Sequence, residues 1–193
     1  MEILVTTGLL ALLAFGAGGQ TSTHGVRQGD SRLCNQRDAI ETYSRDLDNR
    51  LKTLPKRTFV SEFSEQPKWT TGGTDREGNV ANLFLEDGKP IVAAFTLSSE
   101  SGDWTLFATY YFRRDGTLAK MHELLNTFYG NASVIRETFF TCSGSVVSQG
   151  VEHLDLKTKK KKRPDPDFID ETSPLFKRIE SLPFFDLLAR PER

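Results

Sequence analysis

The stretch VANLFLEDGKPIVAAFTLSSESGDWTLFATYYFRRDG, residues 80–116, carries the clearest structural pattern in the chain. Val80–Glu86, Pro90–Ser98 and Trp104–Arg113 are runs of aliphatic, β-branched and aromatic residues of strand length. Asp87-Gly88 separates the first two, a Ser/Gly turn over 99–103 separates the next two, and Asp115-Gly116 closes the third. Apolar runs separated by Asp-Gly pairs are the strongest local signal for hairpins, so this stretch reads as consecutive antiparallel strands.

The same pattern extends in both directions. Upstream, Arg57–Phe63 alternates, with Phe59 and Phe63 on one face and Val60 on the other, and a Gly- and Pro-containing loop over 64–79 follows. Downstream, Ser133–Cys142 reads as a strand after the turn signal Gly130-Asn131. Thr117–Tyr129 is ambiguous, because Leu118, Met121, Leu124, Leu125 and Phe128 also fit a helical stripe; the tight turns on both flanks favour a strand. Trp104, Leu106, Ala108, Tyr110 and Phe112 alternate with Thr105, Phe107, Thr109 and Tyr111, so both faces carry apolar side chains. A sheet with one wet face alternates more cleanly, so both faces need cover.

Two segments can supply it. Over Asn35–Leu54, Ile40, Tyr43, Leu47, Leu51 and Leu54 recur at helical spacing, Asn35 is a candidate cap and Pro55 a stop. At the other end, Leu175, Phe176, Ile179 and Leu182 form a short stripe after the cap-like pair Ser173-Pro174, and Phe184, Phe185, Leu187 and Leu188 follow. So apolar a tail calls for a docking surface. The expectation is an α+β fold: an N-terminal amphipathic helix on a curved antiparallel meander of five or six strands, with a short C-terminal helical segment docked on it.

Residues 1–19 read as an address. Ile3–Phe15 is apolar apart from Thr6, Thr7 and Gly8, and Gly16-Ala17-Gly18-Gly19 supplies small residues for cleavage before Gln20. This is the pattern of a secretory signal peptide, although Glu2 stands where a base is usual. The run falls short of the roughly 20 apolar residues of a spanning helix, so no spanning segment is expected after processing. The division is then signal 1–19, flexible linker 20–31, the helix-and-sheet domain 32–156, and a basic/acidic linker with docked tail 157–193. A secreted or periplasmic location follows. Cys34 and Cys142, the only two cysteines, would there be free to form a bridge. Two buried thiols are the alternative.

The 193 residues carry 25 bases and 26 acids, a net charge of −1, which gives no global reason to expect a nucleic-acid partner. Locally, six of seven residues over 157–163 are basic: Lys157, Lys159, Lys160, Lys161, Lys162 and Arg163. They are candidates for a polyanion, with neutralisation by Asp165, Asp167, Asp170 and Glu171 as the plainer reading. His24, His122 and His153 have no zinc spacing, the acidic stretch lacks the order of a calcium loop, and the glycines over 72–78 are no phosphate loop, so no metal or cofactor is expected. Asn131-Ala132-Ser133 is a glycosylation sequon, relevant only in a eukaryotic secretory pathway. The aromatic strand ends nominate Trp104, Tyr110, Tyr111 and Phe112, rimmed by Arg113 and Arg114, as a surface for an apolar ligand. Three readings stay open: an exported non-enzymatic domain binding an apolar small molecule, an envelope or extracellular protein or a polyanion; a hydrolase-like enzyme whose His122 or His153 finds partners only in space; and an intracellular polyanion binder using the lysine run.

Overall fold

The computed structural model describes residues 31–64, 67–72, 78–165, 168 and 170–189. The proposed signal and all of the linker but Ser31 lie outside the described residues. A helical turn over 31–35 leads across Gln36 into α1 (Arg37–Arg50). Eight strands follow: β1 (Lys56–Ser61), β2 (Thr70–Thr71), β3 (Asn79–Glu86), β4 (Lys89–Ser98), β5 (Trp104–Phe112), β6 (Leu118–Thr127), β7 (Ala132–Phe140) and β8 (Val146–Asp155). They form one antiparallel open sheet in the order β2-β1-β3-β4-β5-β6-β7-β8, a meander broken only by the short edge strand β2.

The α+β class and the helix-then-meander order are as expected, with three corrections. The sheet has eight strands rather than five or six. β2 forms inside the stretch read as loop, and β8 is an edge strand with no fully buried residue, so neither carries a strong apolar pattern. The C-terminal segment is not a helix: it forms two 3₁₀ turns, Ile179–Ser181 and Phe185–Ala189, and Ser173-Pro174 caps nothing. Pro174 and Pro183 bracket too few residues for a stable α-helix between them, so tertiary contacts dictate the path. Finally, α1 begins at Arg37 without a side-chain cap, so Asn35 does not cap it. The ambiguous stretch before Gly130 is strand β6.

Helix α1 lies across one end of the strands. Leu47 packs on Ile91, Val92 and Tyr111, and Ile40 packs on Ala119 and Phe139. Its register is fixed by polar contacts: the Tyr111 hydroxyl donates to Asp48 Oδ1 at 2.8 Å, and Lys120 Nζ sits 2.8 Å from both Glu41 and Glu137. Cys34 and Cys142 are joined in a disulfide that closes 108 positions of chain and staples the approach to α1 onto the end of β7. Beside it, the buried Arg113 guanidinium donates to the carbonyls of Leu33, Leu118 and Phe140. Such a cation is costly to bury unless its donors are used, and here they are.

The opposite face of the sheet carries the larger core: Phe59, Leu83, Phe95, Tyr110, Phe112 and Phe140, closed over by Ile179, Leu182 and Phe184 from the tail. Phe184 is fully buried and stacks on Phe59 at 4.2 Å between ring centroids. Backbone bonds tie the tail down: Leu118 N–H donates to Lys177 O and Ile179 N–H to Gly116 O, both at 2.9 Å. Among the described glycines, Gly78 has the least room for a side chain. Its φ is +152°, and an added Cβ would meet the Ser61 carbonyl oxygen at 2.1 Å.

Candidate functional site

A cavity of about 830 Å³ opens on the tail-covered face of the sheet. That volume falls in the range of small-molecule sites. Its floor is Phe95 and Leu97 of β4 with Trp104 and Tyr110 of β5. Trp69 and Phe63, flanking the approach to β2, form one wall. Residues 171–176 form the other, presenting Glu171, Ser173, Pro174 and Phe176. Edge and stacking contacts lock the aromatic rings: Trp69 stands edge-on to Phe95 at 5.7 Å, Phe95 edge-on to Tyr110 at 5.4 Å, and Phe176 stacks on Phe95 at 5.7 Å. Trp69 Nε1 is buried with no hydrogen-bond partner.

The second wall is a strap held by polar side chains of the sheet. Glu123 of β6 and Arg136 of β7 are cross-strand neighbours in the register, and both are buried. One Glu123 oxygen accepts from Ser173 N–H at 2.8 Å and from Ser173 Oγ–H at 2.9 Å. The Tyr110 hydroxyl lies 2.7 Å from Ser173 Oγ and 2.5 Å from the Pro174 carbonyl oxygen. Arg136 pairs with the Asp170 carboxylate and donates to Glu171 O at 3.3 Å. Burial pushes the Tyr110 phenol well above its usual range, against the opposing hydrogen bond from Ser173 and with the Glu123 charge adding to the rise. Burial also lowers the Arg136 pKa, against the Glu123 charge. A strap so held is a preformed wall, because each buried polar atom would lose its partner if the strap left.

Of the six residues nominated from the sequence, only Trp104 and Tyr110 line this cavity. Tyr111 points to the α1 side, Phe112 is core, and Arg113 is buried among backbone carbonyls. Arg114 is exposed and pairs with Glu86 at 3.1 Å. Adjacent strand residues face opposite sides, so the run 110–114 cannot form one surface. Phe63, Trp69, Phe95 and Phe176 also line the cavity and are not among the residues nominated from the sequence as a ligand surface. Phe95 shares a face with Tyr110 through the β4–β5 register, and the unsheltered tail was the signal for Phe176.

The basic run folds back along β8. Lys161 forms a bridge with Leu154 and its Nζ reaches Glu152 at 2.8 Å; Lys162 Nζ donates to Gly130 O at 2.5 Å, and Lys159 Nζ reaches Ser133 Oγ at 3.4 Å. Lys157, Lys159, Lys160, Lys161 and Arg163 are exposed, and Lys162 is half-buried. Asp170, expected to neutralise this run, serves Arg136 instead. His122 Nδ1 is 3.6 Å from Glu137, beyond a hydrogen bond, and His153 packs edge-on against Phe168. Neither histidine lines the cavity. Burial, with the charges of Arg136 and Lys162, lowers the His153 pKa. Among the described residues no group of three or more His, Cys, Asp and Glu could hold a metal, and no helix is long and apolar enough to cross a membrane. The sequon residue Asn131 uses its amide to donate to Asp155 Oδ2 at 2.6 Å.

No family model, no curated protein and no solved structure matches this chain.

Proposed function

We propose that the protein is an exported, non-enzymatic binding protein that takes a small, largely apolar ligand between the sheet and the strap. The observation that carries this reading is the cavity of about 830 Å³ with aromatic side chains on its floor and both walls. Fixed rings around a preformed space bind an apolar molecule without first spending free energy on ordering. Within the wall, Ser173, Glu123 and Tyr110 satisfy one another, which suits a structural clasp better than a nucleophile awaiting a substrate. The Cys34–Cys142 bridge supports export, because such bonds persist in oxidising compartments. The polyanion reading has less behind it: it rests on the basic run alone, where Lys161 already pairs with Glu152 and Lys162 with the Gly130 carbonyl.

The test is a fluorescence titration with N-phenyl-1-naphthylamine, a neutral apolar probe. Saturable binding at one site per chain, abolished by filling the cavity in Leu97→Trp while the folded circular-dichroism spectrum persists, is the expected result. Absence of saturable binding, or binding untouched by Leu97→Trp, overturns the reading.

A further inference from the structure

The cavity carries charge of one sign. Glu100 and Glu171 line it, and no Lys, Arg or His stands among the described residues that do. Arg136 of β7, which holds the strap, pairs with Asp170 and donates to the Glu171 backbone and is not part of the lining. An anion entering this space would leave water with no counter-charge to meet it, a transfer that is strongly unfavourable. A cation would meet a lining whose charged side chains, among the described residues, are the two glutamates, together with aromatic rings, whose quadrupoles attract positive charge. Trp69, Phe95, Trp104, Tyr110 and Phe176 supply those rings on three sides.

We infer that the ligand of this cavity is an organic cation, a substituted ammonium group on an apolar body. This rests on the proposal that the cavity is a ligand site, and it deepens that proposal by fixing the sign of the ligand's charge. Glu100, exposed on the turn between β4 and β5, stands where it raises the local concentration of cations. The aromatic rings then provide the enclosure. The preference is therefore partly sensitive to salt: the carboxylate contribution falls with ionic strength, while the ring contribution persists.

Three probes of nearly equal size separate the possibilities: benzyltrimethylammonium, the neutral neopentylbenzene and phenylmethanesulfonate. Their affinities are measured by titration into the purified protein at low salt, for the parent chain and for the double variant Glu100→Gln/Glu171→Gln. The cation is expected to bind at least about tenfold tighter than the sulfonate. In the double variant that ratio is expected to contract several-fold, with neopentylbenzene unaffected. If neopentylbenzene binds but the sulfonate binds as well as the ammonium, or the ratio survives in the double variant, the cation assignment is overturned and the apolar cavity stands. If none of the three binds, the reading of the cavity as a ligand site falls, and the cation assignment falls with it.

Discussion

Replacing Phe184 by alanine tests whether the tail is an integral layer of the core. Phe184 is fully buried, stacks on Phe59 and makes further ring contacts with Trp69 at 5.5 Å and Phe95 at 5.6 Å. Truncating a buried phenylalanine costs about 3–5 kcal/mol, from lost transfer free energy and the void left behind. The neighbouring Pro183 borders the open cavity, so water and local collapse can relieve part of the void. The expected loss is therefore near the lower end, about 3 kcal/mol. The control is Phe128→Ala, since Phe128 is 74% exposed, and the expected change is within about 0.5 kcal/mol. Guanidinium unfolding followed by circular dichroism gives both values, and similar m-values in the variants license the comparison. A loss below 1 kcal/mol for Phe184→Ala, or an equal loss for Phe128→Ala, would refute the docked tail.

The disulfide, the Gly78 backbone and the perturbed titratable groups give three further predictions. Joint replacement of Cys34 and Cys142 by serine opens a loop of 108 positions and is expected to cost about 4–5 kcal/mol; intact mass of protein from its native host should begin at Gln20 and lack two hydrogens, and a full-length chain with two thiols would contradict export. Gly78→Ala drives a Cβ into the Ser61 carbonyl, so a loss of about 2 kcal/mol or more is expected, and an unchanged thermal midpoint would contradict that backbone geometry. Stability should fall at both ends of the pH scale. The Arg50 hydrogen bond, aided by Arg114 and opposed by burial, holds the Glu86 carboxyl below its usual range, so its contribution is present above about pH 4.3 and is lost as pH falls through the lower folded value. Burial, with the Glu86 charge adding, pushes the Tyr43 phenol up to about 12, so its contribution is full below about pH 10 and is lost as pH rises toward the folded value. Tyrosinate absorbance that develops fully near pH 10 while the fold persists would contradict the burial of Tyr43, Tyr110 and Tyr111.

The elements with strong local grammar were legible in the sequence. Asp87-Gly88 and Asp115-Gly116 pin hairpins, and the Ile40–Leu47 stripe marks α1. The elements decided by tertiary contacts were not. β8 contains Gly150 and polar residues and has the sheet on only one side, so it shows little apolar alternation. β2 is two residues long and exists because β1 offers it an edge. The tail's apolar content predicted docking, but its path is set by Glu123 gripping Ser173 and by Phe184 entering the core, both long-range contacts. The site was half legible for the same reason. Trp104 and Tyr110 alternate onto one face, whereas Trp69 and Phe176 join them only through the fold.

Occupation of the space between the sheet and the strap by an apolar ligand is read out residue by residue in amide chemical-shift mapping with neopentylbenzene. Shifts that saturate together and cluster at residues 95–98, 104, 110 and 171–176 are the predicted result. Shifts scattered over the surface, gathered on the α1 side, or absent would contradict it.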